Sequence, residues 1–165
     1  MVHIDAAYNL ARWLARDERD AEDVVQEACL RAFRFFGGFH GSNARAWLLA
    51  IVRNTYYTWL EKNKSRTLNV PLDEDTATAI EAKMAGPDPG LEYLMQQADD
   101  RRLVNRALER LPAEFREIIV LRELEDMSYK DIAQIADIPL GTVMSRLSRA
   151  RKLLLHAVQQ ISKEP

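Results

Sequence analysis

The segment "MSYKDIAQIADIPLGTVMSRLSRARKLL", Met127–Leu154, decides the fold of the C-terminal part of the chain. Ser128 precedes an apolar run and Asp131 follows three residues later, which is typical of a helix N-terminus. The sequence "DIPLG" then interrupts the helical pattern with a proline and a glycine. A second helix follows, with one continuous apolar face made of Val143, Leu147, Ala150 and Leu154. The segment therefore predicts two helices around a tight turn.

The opposite face of the second helix is polar and basic. Its members are Thr142, Ser145, Arg146, Arg149 and Lys152. A helix-turn-helix lays its second helix in the major groove of DNA, where such side chains contact base edges and phosphates. The other interpretation is a solvated basic helix end, since cations also favour C-terminal turns. The lengths of the preceding helix and turn favour DNA recognition.

The charge of the chain differs between its segments. The formal total is −2, but residues 1–66 sum to +2, residues 67–100 to −7 and residues 101–165 to +3. The acidic segment also contains Pro71, Pro87 and Pro89 and shows no sustained periodicity, a composition that is typical of a linker. The flanking segments are thus mildly basic, and an acidic connector offsets them in the total.

Both flanking segments predict helices, and neither shows the apolar alternation of strands. A first helix includes Tyr8, Ala11, Leu14 and Ala15. A second starts with Asp20 as its N-cap, and its apolar stripe is Ala21, Val25, Ala28, Ala32 and Phe35. A third runs from Asn43 or Ala44 to about Lys64, with an apolar face of Leu48, Ile51, Val52, Thr55 and Trp59.

The C-terminal segment predicts two more helices before the helix-turn-helix. One covers Leu91 to Leu111, and Pro112 opens the next. The apolar side of that next helix is Phe115, Ile118, Ile119 and Leu121. The predicted fold class is all-α: two small helical domains, residues 1–66 and 101–165, are joined by a flexible acidic linker over 67–100. The last part of this linker enters the first helix of the second domain.

The N-terminal helices present two further candidate surfaces. The second helix places an acidic and polar face around an exposed leucine, made of Asp23, Gln26, Glu27 and Leu30. Such a face suits a protein partner and repels DNA. The third helix interleaves aromatic and basic side chains: Arg45, Trp47, Arg53, Asn54, Tyr56, Tyr57 and Lys62. This pattern favours binding of single-stranded nucleic acid, although aromatic residues on a helix also serve as core.

Several function classes are disfavoured by the residues present. No run of apolar residues is long enough for a membrane span, and the N-terminus lacks the layout of a signal peptide, so we expect the cytoplasm. The one cysteine cannot form an internal disulfide, and the three histidines are too scattered for a zinc site. We find no phosphate-cradling glycine loop and no paired carboxylates in a metal-ligand pattern. The sequence therefore predicts neither an enzyme nor a bound metal or cofactor.

Three stretches together resemble a known family. These are "DAEDVVQEACLRAFRFF", "RAWLLAIVRN" and "LPAEFREIIVLRELEDMSYKDIAQIADIPLGTVMSRLSRARKLL". They resemble the signatures of bacterial RNA polymerase sigma factors of the extracytoplasmic-function (ECF) group of the sigma-70 family. The match spans nearly the whole chain, in the right order and with a linker between. Two separated motif sets are more specific than a lone helix-turn-helix.

The resemblance implies a role for each surface. The second helix would dock on the clamp helices of the polymerase beta-prime subunit, through Asp20, Asp23, Gln26, Glu27 and Leu30. The third helix would melt and read the minus-ten promoter element, with Asn54 near a captured base. The last helix would read the minus-thirty-five element as duplex, and the segment "LPAEFREIIVLREL", Leu111–Leu124, would support it and face the polymerase beta flap. The resemblance also implies control by an anti-sigma protein.

Met144 stands where many members of this family have arginine. Methionine can pack on a thymine methyl group but cannot pair with guanine. We therefore predict a minus-thirty-five contact that depends less on guanine.

Two other classes remain as alternatives to a polymerase subunit. One is a stand-alone helix-turn-helix regulator that dimerises on a palindrome, and the other is an enzyme that acts on nucleic acid. Two domains of about +2 and +3 are too weakly charged to hold a promoter alone at physiological salt, which favours a factor tethered to polymerase.

Overall fold

The computed structural model describes residues 2–63 and 101–164. This part of the chain is helical and contains no strand, which confirms the all-α prediction. Its helices are α1 (Ile4–Ala15), α2 (Glu18–Phe35), α3 (Ala44–Lys62), α4 (Arg101–Glu109), α5 (Ala113–Ile119), α6 (Tyr129–Ala136) and α7 (Leu140–Ser162). The predicted linker, and the part of the predicted helix that precedes residue 101, lie outside the described residues.

The turn between α1 and α2 differs from the sequence prediction. Arg16 ends α1 in the left-handed region, at φ 61°, and the chain is extended at Asp17. The Asp17 carboxylate accepts hydrogen bonds from the backbone amides of Arg19 and Asp20, at 2.9 and 3.1 Å. Asp17 is therefore the N-cap, and the assignment of Asp20 was wrong. The helix begins one turn earlier because the left-handed residue completes the reversal before Asp17.

The first three helices pack around small and branched side chains. The buried positions include Ala7, Leu10, Leu14, Ala21, Val24, Ala28, Leu49 and Val52. Alanines on α1 and α2 let the two backbones approach closely. The predicted stripe of α2 was wrong at two positions, since Val25 is half-buried and Phe35 is exposed. Val24 is buried instead of Val25.

The start of α3 agrees with the prediction. The Asn43 side chain accepts a hydrogen bond from the amide of Ala46 at 3.0 Å, so Asn43 is the N-cap. Leu48, Val52 and Thr55 are buried as predicted, whereas Ile51 and Trp59 are only half-buried. The Thr55 hydroxyl is satisfied within the helix, where it donates to the Ile51 carbonyl at 2.6 Å.

Helix α5 is buried on every side. Its consecutive residues Phe115–Ile119 are all buried, and the set includes the charged Arg116 and Glu117. The helix continues into a π-helical turn, Val120–Leu124, which the sequence did not predict. Two amides close this turn, from Glu125 to the Val120 carbonyl and from Met127 to the Leu121 carbonyl, both at 2.9 Å.

The helix-turn-helix has the predicted form. The Ser128 hydroxyl accepts from the amide of Asp131 at 3.1 Å and caps α6. Asp137 ends α6 in the left-handed region, at φ 53°, and Pro139 precedes α7. The predicted apolar face of α7 is buried at Val143, Leu147, Ala150 and Leu154.

The two helical halves pack directly on each other. Helix α3 lies against α6, and α1 lies against α5 and the π-helical turn that follows it. The buried apolar residues of the two halves form one continuous cluster. Helix α3, which carries the aromatic and basic pattern, is therefore partly covered by the helix-turn-helix half.

Within residues 2–63 and 101–164, no helix combines the length and the apolar character that crossing a bilayer requires.

The capping correction can be tested with two aspartate variants. We expect Asp17→Ala to lower the free energy of unfolding by about 1 kcal/mol, because two backbone amides lose their acceptor. Asp20→Ala should stay within about 0.5 kcal/mol of wild type, since burial and the neighbouring Asp17 and Asp23 already raise the pKa of Asp20. Urea denaturation followed by circular dichroism measures both. A larger loss for Asp20→Ala than for Asp17→Ala would contradict the assignment.

Candidate functional site

The outer face of α2 is open to solvent. Asp23, Gln26, Glu27 and Leu30 are all exposed, and Leu30 has 56% of its surface accessible. Glu27 pairs with Arg31 one turn later, at 3.1 Å. Asp20 lies at the start of this face and is half-buried. A solvated leucine ringed by acidic and amide side chains is suited to contact with a protein.

An aromatic cluster continues this face toward α3. Phe33 is 80% exposed, and Phe35 and Phe36 are also largely exposed. Trp47 of α3 contacts the rings of Phe36 and Phe39, with centroid separations of 6.3 and 5.0 Å. These phenylalanines were not among the surface residues predicted from the sequence, although "FRFFGGF" places four of them within seven residues before a loop.

The aromatic and basic set of α3 divides into three groups. Asn54 and Lys62 are exposed, and Arg45, Trp47, Arg53 and Tyr57 are half-buried. The Arg53 guanidinium lies over the Tyr57 ring, 4.7 Å from its centroid. Tyr56 is only 6% exposed and packs with Tyr57 and Trp59 in the core. Its predicted surface position was therefore wrong, and its contact with the minus-ten strand stays a prediction.

The Arg53 guanidinium forms an ion pair with a carboxylate from the C-terminal half of the molecule. Its Nε and Nη2 donate to the two carboxylate oxygens of Glu117, at 2.9 and 3.2 Å. The Glu117 side chain has 0% of its surface exposed. Burial raises the pKa of Glu117, and the charge of Arg53 and hydrogen bonds from Arg53 and Tyr57 oppose that rise.

Arg45 is held in a similar way. Its guanidinium pairs with the buried carboxylate of Glu125, which also accepts a hydrogen bond from the side-chain amide of Asn9. These groups border an open crevice of about 530 Å³ between the start of α1 and the end of the π-helical turn. Asn43, at the head of α3, donates to Asp131 of α6 at 3.2 Å.

The polar face of α7 is more accessible near its start. Met144 is 54% exposed and Ser145 is exposed, while Thr142 is half-buried. The Ser145 hydroxyl donates to the Thr142 carbonyl at 3.1 Å.

Further along α7, the basic residues contact the protein. Arg146, Arg149 and Lys152 are half-buried. The Arg149 guanidinium lies 5.1 Å from the centroid of the Phe115 ring, and the charge of Arg146 opposes the rise in the pKa of Glu117 that burial causes. Arg149 thus contacts α5, the helix that carries Glu117.

Glu117, Glu125 and Arg116 were not predicted as site residues. Charged residues near an amphipathic helix are normally assigned to its solvated face, and these three are buried where the N-terminal half packs on the C-terminal half. For Arg116 and Glu117, the available signal was the unusual density of apolar residues around them in "FREIIVL". Among the residues that the structure describes, no group of three or more histidine, cysteine or acidic side chains could hold a metal ion.

Comparison with protein families covers both halves of the chain. The family model for sigma-70 region 2 matches residues 1–66, and the model for sigma-70 region 4 matches residues 101–154.

Curated relatives extend this likeness over most of the chain. The ECF RNA polymerase sigma-E factor of Escherichia coli strain K12 is 38% identical over 144 residues, covering 86% of this chain and 75% of the relative. The RNA polymerase sigma-H factor of Pseudomonas aeruginosa is 36% identical over 155 residues, covering 90% of this chain and 78% of the relative.

A solved structure has a similar fold. The sigma factor RpoE from Bartonella quintana, crystallised with the anti-sigma factor NepR, aligns with a TM-score of 0.70 at 27% identity, over 96% of this chain and 92% of that one. Two sigma-70 regions in the correct order, together with relatives above one third identity over most of their length, establish the family. The chain belongs to the ECF group of sigma-70 RNA polymerase sigma factors, a family of transcription initiation factors rather than enzymes.

Proposed function

We propose that this chain binds bacterial core RNA polymerase in the cytoplasm and directs it to specific promoters through two reading surfaces. The observation that carries the proposal is the agreement between two separately matched sigma regions and two exposed faces on different helices. The outer face of α2 is the main polymerase dock. Helix α3 reads the melted minus-ten element, and the start of α7 reads the minus-thirty-five element as duplex.

The chemistry of α2 supports docking on a protein rather than on DNA. Its face of Asp20, Asp23, Gln26, Glu27 and Leu30 is acidic, so it repels phosphates. The exposed Leu30 and the neighbouring phenylalanines supply apolar area of the kind that anchors an interface. The polymerase surface that complements this face is the basic and apolar beta-prime clamp. The segment of α5 and its π-helical turn contacts the beta flap.

Control by an anti-sigma protein belongs to the same proposal. The solved sigma factor that resembles nearly the whole chain was crystallised with an anti-sigma factor. A partner that binds both halves of this chain would hold the reading surfaces away from polymerase and promoter.

The α2 face can be tested by co-migration with core polymerase on gel filtration. Wild type should bind at sub-micromolar concentration, and an Asp23→Ala, Gln26→Ala double variant should bind at least about tenfold more weakly, because two central contacts are lost. A matched control is Glu109→Ala, Gln159→Ala, which likewise removes one carboxylate and one amide side chain from exposed positions elsewhere. Equal binding by both double variants would move the main dock away from α2.

The minus-ten assignment rests on the accessible part of α3. We expect Asn54→Ala to reduce promoter opening about tenfold, because a base contact of roughly 1–3 kcal/mol is lost. Permanganate reactivity of unpaired thymines in polymerase complexes measures the opening. Tyr56→Phe is the control, since Tyr56 is buried and should leave opening unchanged. Equal defects in both variants would refute the assignment.

Met144 should influence which minus-thirty-five sequences are used. Met144→Arg is expected to introduce a preference for guanine of about tenfold or more at one position, because arginine pairs bidentately with guanine. Met144→Ala should weaken a preference for thymine. Transcription from a promoter library randomised in this element measures both, with Gln159→Ala on the far end of α7 as control. An unchanged preference in Met144→Ala would contradict the role.

A further inference from the structure

We propose that Glu117 and Glu125 act as a carboxylate latch that holds the two halves of this chain together and masks the phosphate-binding arginines of α3. The inference rests on the proposed function in one respect, the use of Arg45 and Arg53 on promoter DNA. It adds that the free chain controls access to these arginines through contacts within itself.

The Arg53 contact has the geometry of phosphate recognition. Both carboxylate oxygens of Glu117 accept from the guanidinium, at 2.9 and 3.2 Å, which is a forked pair. Arginine binds phosphate with the same fork. The Arg53 guanidinium also lies over the Tyr57 ring, 4.7 Å from its centroid, so two side chains predicted to contact the minus-ten strand lie together at this carboxylate. Arg53 cannot bind this carboxylate and a DNA phosphate with the same donors at once.

The second pair lies at the other end of the interface. Glu125 is buried and accepts from both Arg45 and Asn9, which come from α3 and α1. The Asn43 side chain donates to Asp131 beside it. The carboxylate acceptors in these contacts, Glu117, Glu125 and Asp131, all lie in the C-terminal half, and their donors lie in the N-terminal half. Carboxylates that mimic the phosphates of nucleic acid would produce this pattern.

Two further arginines, Arg116 and Arg16, also hydrogen-bond across the interface. Arg116 donates to the Leu14 carbonyl of α1 at 3.2 Å and to the Leu111 carbonyl at 2.8 Å. Arg16 donates in the other direction, to the same Leu111 carbonyl at 3.1 Å. The Nε of Arg116 is buried without a hydrogen-bond partner in this arrangement. Leaving this N–H group without a partner costs free energy in the closed state. Water would hydrogen-bond to it once the halves separate, so opening removes that cost.

The latch is suited to opening because its contacts are ionic. Water can replace each of them, and a buried ion pair is close to neutral in free energy against solvated partners. Removing one member while the interface stays closed is different, since it leaves a buried charge uncompensated. Neutralising the glutamates should therefore shift the population toward the open state.

The test measures the separation of the halves and their binding to DNA in the full chain. Spin labels at Arg12→Cys and Gln159→Cys, both exposed and on different halves, report the distance in a Cys29→Ser background by double electron–electron resonance. Binding to a fluorescent mixed-sequence single-stranded 12-mer, about the length that one single-strand-binding fold covers, reports access to α3. The latch variant is Glu117→Gln, Glu125→Gln.

A matched control has the same change in net charge. Glu123→Gln, Glu164→Gln removes two carboxylates that pair with arginines inside the C-terminal half, at 2.6–3.1 Å. We expect longer and broader distances for the latch variant alone, together with oligonucleotide binding at least tenfold tighter than the control. Arg53→Ala in the latch background should remove most of that gain. If the double variant fails to fold, Glu125→Gln alone should give the same changes to a smaller degree.

Two results would overturn the proposal. Unchanged distances in the folded variants would show that the carboxylates do not hold the halves together. Longer distances without a gain in binding would show that the latch does not mask the α3 arginines. Co-migration of wild type with core polymerase distinguishes these failures from failure of the proposed function, because polymerase binding through α2 does not involve the latch residues.

Discussion

The buried contact between Arg53 and Glu117 is the constraint on which the arrangement of the helices depends. A carboxylate enclosed by protein is unfavourable unless it is paired and hydrogen-bonded, and breaking such a pair costs about 3–5 kcal/mol. Glu117 lies on a helix that is buried on every side, so its partner must come from outside that helix. In the arrangement observed, α3 supplies this partner and satisfies the carboxylate. The position of α3 then determines which of its side chains face solvent.

The interface between the halves combines an apolar core with an unusual number of charged groups. Arg116 is fully buried, and burial together with the nearby charge of Arg16 lowers its pKa to about 10. It therefore stays protonated at neutral pH and keeps its hydrogen bonds to two backbone carbonyls. An interface made only of leucine and isoleucine would expose nothing but apolar surface on opening. Here the charged groups would gain hydration when the halves separate, which offsets part of the cost of exposing the apolar cluster that the halves share.

The sequence predicted the elements that depend on local chemistry. The start of α3 at Asn43 or Ala44, the cap at Ser128 and the apolar face of α7 were confirmed, because each rests on residues within one or two turns of helix. The cap of α2 was wrong by three residues, since the left-handed backbone of Arg16 leaves no pattern in the sequence. The burial of Tyr56 was not predicted, because a tyrosine between two helices has the same spacing as one on an open face. Glu117 could not be found, since its burial depends on contacts between segments 64 residues apart.

Competition between carboxylate and phosphate depends on concentration as well as on contact geometry. A carboxylate in the same chain faces Arg53 at an effective concentration on the order of millimolar or above, whereas non-specific protein–DNA contacts dissociate at about 10⁻⁴–10⁻⁶ M. The two halves carry only +2 and +3 formal charges, so their own attraction for random DNA is weak and the intramolecular partner competes well. In the proposed complex, polymerase would change this balance in two ways. It would hold the promoter at high local concentration, and docking of the two halves on separate subunit surfaces would remove the acceptors from the arginines. The same fork of arginine donors can thus be satisfied in the free protein and available in the complex, without any change in the residues themselves.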